Sequence, residues 1–252
     1  MDLLDALLLA AAALAAGAMN AVAGGGTFFT FSALVATGMP AIMANATSSA
    51  AVWPGSLAGL AAYRSETKAH WRRFLGLGAV SLAGGGLGAW VLIETEDATF
   101  RALVPWLLIG ATILFAASPR IKQWGRSLGS GAGRGAQAAG LAFQFLVAVY
   151  GGFFGAGMGI LMLAALSLTE RGDFHVANAA KTLMAALINA VAVGLFVWGG
   201  LVSAPEALLM AAAAIVGGYA GVGAARKVPE PVLRGVVVAV GLALSAYFFV
   251  RG

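Results

Sequence analysis

Runs of about 20 apolar residues follow one another along nearly the whole chain. A helix of that length rises far enough, at about 1.5 Å per residue, to cross the ~30 Å hydrocarbon core of a bilayer. Only 10% of the 252 residues are charged, whereas ordinary soluble domains carry about 25%, so this composition cannot build a water-exposed surface. The alternating segments of about ten residues that are typical of membrane barrels are absent from the sequence. The pattern therefore predicts an all-α integral membrane protein.

The apolar pattern divides into candidate membrane segments with a polar stretch in the middle. The segments are 3–23, 27–38, 41–63, 74–93, 98–117, 136–155, 157–168, 175–199, 205–224 and 232–250. Segments 27–38 and 157–168 are too short to cross a bilayer alone, so we expect about 8–10 membrane segments. The basic, Gly/Ser-rich stretch 119–135 predicts a cytoplasmic linker between an N-terminal repeat (1–118) and a C-terminal repeat (136–252), which together form one membrane unit.

Basic residues are concentrated in three short connections, and acidic residues lie mainly at the opposite ends of the helices. The connections hold Arg64, Lys68, Arg72 and Arg73; Arg120, Lys122, Arg126 and Arg134; and Arg226, Lys227 and Arg234. Connections rich in Lys and Arg stay on the cytoplasmic side of a membrane. We therefore expect a multi-pass protein whose basic loops face the cytoplasm. This arrangement, rather than nucleic-acid binding, accounts for the net charge of +5.

The two halves of the chain resemble each other when they are aligned with a shift of 133 residues. Gly24 then falls on Gly157, Gly26 on Gly159 and Asn45 on Asn178. The third segment of the first half ends at the basic stretch 64–73, whereas its counterpart ends at 201–206, which contains no Lys or Arg. Opposite loop charge predicts opposite insertion of the two halves. Inverted repeats with interrupted helices are typical of transporters, which bind their substrate near the middle of the bilayer.

A glycine cluster precedes each of the two short segments. Irregular backbone at membrane depth is tolerated only where protein buries it or where it lines a wet cavity. A helix start also directs free N–H groups and a positive dipole end at its surroundings, so two such starts predict an anion site. We expect the site to include Asn20, Gly24, Gly25, Gly26 and Thr27 in the first half and Gly155, Gly157 and Gly159 in the second. The alternative is that the glycines only permit close helix packing, which is how we interpret the glycines at 83–89.

Lys181 lies several residues inside an apolar segment, where a charge is costly and marks a functional residue by default. Asn178 and Thr182 flank it, and Asn189 lies close to the same helix face. The matching turn of the first half offers Asn45, Thr47, Ser48 and Ser49. One cation among neutral donors suits a small oxyanion with one or two negative charges. The alternative is that the Lys181 side chain extends to the membrane interface.

The sequence offers little for catalysis or metal binding. It contains no Cys and only two His, which removes disulfides, thiolate chemistry and nearly all haem, iron–sulfur and zinc ligation. No Ser/His/Asp set, carboxylate pair or metal-ligand spacing stands out, so we expect neither an enzyme nor a cofactor. His175 is a candidate for proton coupling, because an unperturbed His titrates near neutrality. The alternative is that His175 only forms a hydrogen bond at the interface.

Three stretches resemble the sulfite exporter TauE/SafE family of membrane anion permeases. They are AVAGGGTFFTFSALVATGMPAIMANATSSAAVWPGSLAGLAAYR at 21–64, the Gly-rich helices at 74–115, and GGFFGAGMGILML at 151–163 together with ANAAKTLMAALINAVAVGLF at 177–196. The last stretch is similar to a repeated motif of the family in which a Lys and a later Asn are typical, here Lys181 and Asn189. The matching turn of the first half, at Asn45 and Thr47, differs from this motif because it carries no second cation.

The resemblance implies a bacterial inner-membrane transporter of sulfur-containing anions such as sulfite, thiosulfate or organosulfonates, and members are commonly assigned as exporters. We expect helix N-termini and Lys181 to bind the anion at the midplane while one half rocks against the other. Two alternatives stay open. A passive anion channel would show conductance that does not saturate at modest concentration. A non-transporting membrane partner in sulfur metabolism would bind no anion.

Overall fold

The computed structural model describes residues 2–22, 26–127, 134–159, 161–162, 166, 174–225 and 230–251. These residues form helices joined by short turns, and no strand occurs among them. The prediction of an all-α protein is confirmed. Because no described segment is a strand, the glycine-rich turns are not the strand-to-helix turns of a dinucleotide-binding fold.

Except for the short polar helix at Arg64–Ala69, the helices follow the apolar runs. They are α1 (Leu3–Val22), α2 (Thr27–Ala36), α3 (Ala41–Ala62), α4 (Arg64–Ala69), α5 (Trp71–Ile93), α6 (Asp97–Ser127), α7 (Arg134–Phe153), α8 (Phe174–Trp198), α9 (Ala204–Ala225) and α10 (Glu230–Arg251). Residues 158–159, 161–162 and 166 are also helical. Helix α6 continues through Pro119 as far as Ser127, so the described part of the predicted linker is helical. The domain boundaries themselves stay a prediction.

Several helices are long enough to cross a bilayer, whereas α2 is not. Among the described residues, three helices are long and apolar enough to cross a bilayer, over Leu3–Asn20, Phe74–Ile93 and Ala179–Trp198. Shorter apolar helices cover Thr27–Ala36, Ala138–Phe153 and Ala204–Tyr219. Helix α2 has 10 residues and is therefore about 15 Å long, half of the hydrocarbon thickness. The predicted short segment after the first glycine cluster is thus confirmed as a helix.

Helices one repeat apart occupy comparable positions in the packing. Helices α3, α5 and α6 begin at residues 41, 71 and 97, and α8, α9 and α10 begin 133 residues later, at 174, 204 and 230. Helix α1 packs on α9 while its counterpart α7 packs on α5, and α3 packs on α9 while its counterpart α8 packs on α5. These are the pairs expected of two related halves. Their insertion in opposite directions stays a prediction.

Glycines allow the closest helix crossings. A Cβ added to Gly88 of α5 would lie 2.0 Å from the carbonyl oxygen of Val149 in α7, and one added to Gly152 would lie 2.1 Å from that of Gly85. Both distances are far below van der Waals contact, so these backbones touch directly, as at small-residue interfaces in membranes. The packing interpretation of the glycines at 83–89 is confirmed.

Candidate functional site

The helix carrying Tyr150 ends in a turn with left-handed backbone, here called the second glycine turn (residues 154–159). Gly155 and Gly157 have φ angles of +76° and +74°, a conformation that only glycine adopts readily. The Tyr150 carbonyl accepts the N–H of Phe154 at 2.9 Å and that of Gly155 at 3.2 Å. The Tyr150 hydroxyl donates to the Ala156 carbonyl at 2.6 Å. These bonds end α7 and fix the shape of the turn.

The second glycine turn is also held by aromatic packing. The Phe154 ring meets Phe31 of α2 edge-on, with ring centroids 5.6 Å apart, and lies 6.2 Å from the ring of Phe100 in α6. All three rings are buried. In the described part of the chain, neither Ala156 nor Gly157 donates its N–H to a backbone carbonyl. The turn is therefore a fixed structure in which these two N–H groups have no backbone acceptor among the described residues.

Three helices bring side chains to this turn. A Cβ added to Gly159 would lie 3.7 Å from Lys181 Cδ, so the Lys181 stem of α8 lies beside the turn. A Cβ added to Gly157 would lie 3.5 Å from that of Ala111 in α6. Asn45 of α3 donates its Nδ2–H to the Phe153 carbonyl at 2.9 Å. The structure therefore brings together three elements of the predicted site: Asn45, Lys181 and the second glycine cluster.

Asn45 leaves a buried acceptor unused. The residue is 1% exposed, and its Oδ1 has no hydrogen-bond partner among the described residues. The bond from Nδ2 to Phe153 fixes which amide atom is the oxygen. Ser49 donates its hydroxyl to the Asn45 backbone carbonyl at 3.0 Å and leaves Oδ1 free. A buried carbonyl without a hydrogen bond costs about 1–3 kcal/mol of stability. We therefore expect Asn45 Oδ1 to accept a hydrogen bond from a donor outside the described residues.

Thr112 carries a second buried polar atom that has no partner among the described residues. Thr112 follows Ala111 in α6, is buried, and its Oγ1 has no partner among the described residues. Sequence reasoning missed both Thr112 and Tyr150. A lone tyrosine directly before Gly151 was a usable signal for Tyr150, because a buried hydroxyl must find a hydrogen-bond partner. No sequence signal singles out Thr112.

The first glycine turn (residues 23–26) is built differently, as far as it is described. Gly26 donates its N–H to Asn20 Oδ1 at 2.8 Å, and a Cβ added to it would lie 2.3 Å from the Ala16 carbonyl oxygen. Thr27 starts α2, and its carbonyl accepts the Thr30 hydroxyl at 3.3 Å. Gly24 and Gly25 lie outside the described residues. Gly26 therefore serves close packing, and its donor is already used.

The other polar residues of the first half hold helices together. The hydroxyls of Thr30 and Ser48 share a buried hydrogen bond of 2.6 Å that joins α2 to α3. Thr47 Oγ1 accepts the N–H of Ser203 at 3.0 Å, which joins α3 to the connection before α9. Each of these bonds satisfies groups that would be costly to bury alone. A binding role for Thr47, Ser48 or Ser49 stays a prediction.

The remaining predicted residues lie along α8. Thr182 is half-buried and Asn189 is 8% exposed. Asn178 and His175 belong to the helix, but their side chains lie outside the described residues. Trp53 of α3 donates its indole N–H to the Ala186 carbonyl of α8 at 3.2 Å. This bond ties α8 to the helix that carries Asn45.

A separate cavity of about 290 Å³ lies where the start of α1 meets the loop after α2 and the start of α9. Its lining includes the carboxylates Asp5 and Glu206, and none of the described residues that line it is basic. The hydroxyl of Ser203 donates to Glu206. Two carboxylates disfavour an anion electrostatically, so the second glycine turn is the better candidate for anion binding.

One family model and two curated relatives match nearly the whole chain. The family model described as Sulfite exporter TauE/SafE matches residues 9–248. A "Probable membrane transporter protein" of Haemophilus influenzae is 25% identical over 232 residues, covering 90% of this chain and 88% of the relative. "Probable membrane transporter protein ORF9" of Sinorhizobium sp is 25% identical over 239 residues, covering 93% of this chain and 88% of the relative. No solved structure matches the chain significantly.

Proposed function

Because the chain belongs to the sulfite exporter TauE/SafE family and is a multi-pass membrane transporter, we propose that it exports a small sulfur-containing anion. Sulfite, thiosulfate and organosulfonates form the substrate class, and the membrane is the bacterial inner membrane. The binding site is the second glycine turn with Lys181. The observation that carries this proposal is the position of the Lys181 stem beside Gly159.

The chemistry around the turn suits an oxyanion. A lysine ammonium in a membrane segment supplies one full positive charge, and low surrounding polarity strengthens its attraction to an anion. The N–H groups of Ala156 and Gly157, which have no backbone acceptor in the described part of the chain, supply directional donors. Left-handed glycines allow a ligand to approach such N–H groups closely. Charge and donors together favour an anion over a neutral solute.

Asn45 adds selectivity to this site. Its unused Oδ1 is an acceptor, so it favours a ligand that can itself donate a proton. Hydrogen sulfite carries such a proton, whereas sulfate at neutral pH does not. Within the substrate class we therefore expect hydrogen sulfite to bind most tightly, because thiosulfate and sulfonate groups, like sulfate, carry no acidic proton at neutral pH. A site that rejects a ligand by leaving a buried polar group unpaired discriminates strongly.

The position of the turn fits a transport mechanism. The turn belongs to the second half, but Asn45 and Ala111, which contact it or the residue before it, belong to the first half. An anion bound there would lie between the halves, and rocking of one half against the other would expose it alternately to each side. The Asn45–Phe153 bond would then lie at the moving interface.

Flux into proteoliposomes tests the proposal. Purified protein is reconstituted and uptake of radiolabelled sulfite is followed for the wild type, Lys181→Gln, Lys181→Arg and the charge control Lys122→Gln. We expect saturable uptake in the wild type and the Lys122 control. Hydrogen bonds to charged groups are worth about 1.5–3 kcal/mol, so Lys181→Gln should lose roughly 10- to 100-fold in apparent affinity.

Each other outcome selects a different account. Equal saturable uptake by Lys181→Gln would place the anion site elsewhere. Uptake that rises linearly with sulfite concentration would indicate a passive channel. Absence of both uptake and sulfite binding in the folded wild type would favour the non-transporting partner.

A further inference from the structure

A groove of about 400 Å³ opens where α3 meets the short helix α4. Leu57 and Leu60, from the last turns of α3, form its apolar wall, and Leu57 is 44% exposed. Arg64, Thr67 and Lys68 of α4 form the rest of its lining. The groove therefore combines an apolar wall with a basic rim.

The basic rim consists of two exposed cations on one side of α4. Arg64 and Lys68 are four residues apart in α4, which places them on one side of the helix, and both side chains are exposed. Neither forms an ion pair with any residue that the structure describes. Glu66 is two residues from Arg64 and two from Lys68, so it lies on the other side of α4. Its carboxylate accepts a hydrogen bond from the Ser65 hydroxyl at 2.7 Å. None of the described residues that line the groove carries a carboxylate.

The residues around the groove are of the types that are common at the level of lipid headgroups. Trp71, the first residue of α5, is 53% exposed, and the Arg72 guanidinium carbon lies 5.5 Å from the centre of its ring. An exposed Trp next to basic residues at the end of an apolar helix is typical of a membrane interface. The leucines then face the acyl region, while Arg64 and Lys68 face the headgroups.

We propose that this groove binds one anionic phospholipid of the surrounding bilayer. Its phosphate lies between Arg64 and Lys68, and an acyl chain lies along Leu57 and Leu60. Basic pockets at the cytoplasmic ends of membrane helices suit anionic headgroups, whereas a zwitterionic lipid brings its own cation to the site. The groove matches both parts of a phospholipid, the phosphate and the acyl chain. Free phosphate would use only the basic rim and would leave the apolar wall uncovered.

Lipid binding would stabilise the part of the protein next to the anion site. Helix α4 packs on α8, the helix that carries Lys181. A lipid bridging α3 and α4 therefore supports the position of α8. This site is independent of the proposed sulfite site, because none of its lining residues belongs to the second glycine turn.

Thermal unfolding of the full-length protein in detergent tests the lipid site. Phosphatidylglycerol, phosphatidylcholine and glycerol 3-phosphate are each titrated into the wild type and the double variant Arg64→Gln/Lys68→Gln. The matched control is Arg101→Gln/Arg120→Gln, which removes two exposed charges outside the groove. We expect phosphatidylglycerol alone to raise the unfolding temperature saturably, by about 2–4 °C, in the wild type and the control but not in the double variant.

A second variant guards against failure of the double variant to fold. Leu57→Gln keeps both charges but makes the wall polar, and we expect it to reduce the effect of phosphatidylglycerol. Native mass spectrometry should find one phosphatidylglycerol bound to the wild type and less to either groove variant. Equal stabilisation of wild type and groove variants, or an equal effect of phosphatidylcholine, would overturn the proposal. An equal effect of glycerol 3-phosphate would also overturn it and would indicate a soluble phosphate site.

Discussion

The two glycine turns occupy matching positions in the two halves, and their aligned glycines Gly26 and Gly159 have different surroundings. Gly26 packs against the Ala16 backbone and donates its N–H to Asn20. A Cβ added to Gly159 would make only an ordinary contact with the Lys181 side chain among the described residues. A repeated glycine pattern therefore does not guarantee repeated packing. What differs is whether a fixed backbone or a flexible charged side chain lies beside the glycine.

The largest expected effect comes from alanine at the aligned positions Gly26 and Gly159. A Cβ at Gly26 would lie 2.3 Å from the Ala16 carbonyl oxygen, which cannot move without shifting α1, whereas one at Gly159 would make ordinary contact with Lys181 at 3.7 Å. We expect Gly26→Ala to lose about 3 kcal/mol or more of unfolding free energy and Gly159→Ala less than about 1 kcal/mol. Thermal unfolding in detergent measures both. Similar losses of unfolding free energy in the two variants would contradict the structural difference between the two turns.

Backbone strain at Gly157 gives the next largest effect. A Cβ there has space, since Ala111 Cβ would lie 3.5 Å away, so the cost of Gly157→Ala comes from its φ of +74°. Left-handed backbone costs an ordinary residue about 1–2 kcal/mol, and Asn tolerates it better. We expect stability to fall in the order Gly, Asn, Ala in thermal unfolding. Equal unfolding temperatures of Gly157→Asn and Gly157→Ala would indicate that residue 157 does not keep its left-handed backbone.

The two asparagines separate structure from binding. Asn20→Ala removes the acceptor of the Gly26 N–H, and Asn45→Ala removes the donor to Phe153. We expect each to cost about 1 kcal/mol of stability. Only Asn45→Ala should weaken sulfite binding, because only Asn45 contacts the segment beside Lys181. Sulfite titration of both folded variants checks this, and equal affinities would exclude Asn45 from the site.

The smallest expected effect concerns the bond between Thr30 and Ser48. Thr30→Val, Ser48→Ala and the double variant form a cycle whose coupling energy in thermal unfolding should be about 0.5–1.5 kcal/mol. Their 2.6 Å bond joins α2 to α3, so we expect unchanged sulfite affinity. A loss of sulfite affinity with unchanged stability would indicate that Ser48 takes part in the binding site.

Much of the fold could be predicted because it depends on local patterns. Apolar run length marks the helices, the glycines before 27–36 mark a short helix, and the small residues at 83–89 mark a close crossing of α5 and α7. The neighbourhood of Lys181 and Gly159 was also foreseen, since a charge inside an apolar segment and a broken helix both indicate function.

The individual roles of the polar residues could not be predicted from the sequence. Asn45, Thr47 and Ser48 lie within four positions of one another, and the pattern alone gave all of them the same role. Their partners are remote in sequence: Asn45 meets Phe153, 108 residues away, and Thr47 meets Ser203, 156 residues away. Helix packing decides which hydroxyl or amide forms a hydrogen bond with another part of the protein. Local spacing in the sequence does not predict contacts between such distant residues.

Calorimetric titration of sulfite into the purified protein tests the central claim most directly. The set comprises the wild type, Lys181→Gln at the second glycine turn and Asn20→Ala at the first. We predict saturable binding by the wild type and by Asn20→Ala, with affinity reduced roughly 10- to 100-fold in Lys181→Gln. Undiminished binding by folded Lys181→Gln, or its loss in folded Asn20→Ala, would contradict the account, because the anion would then not bind at the second glycine turn.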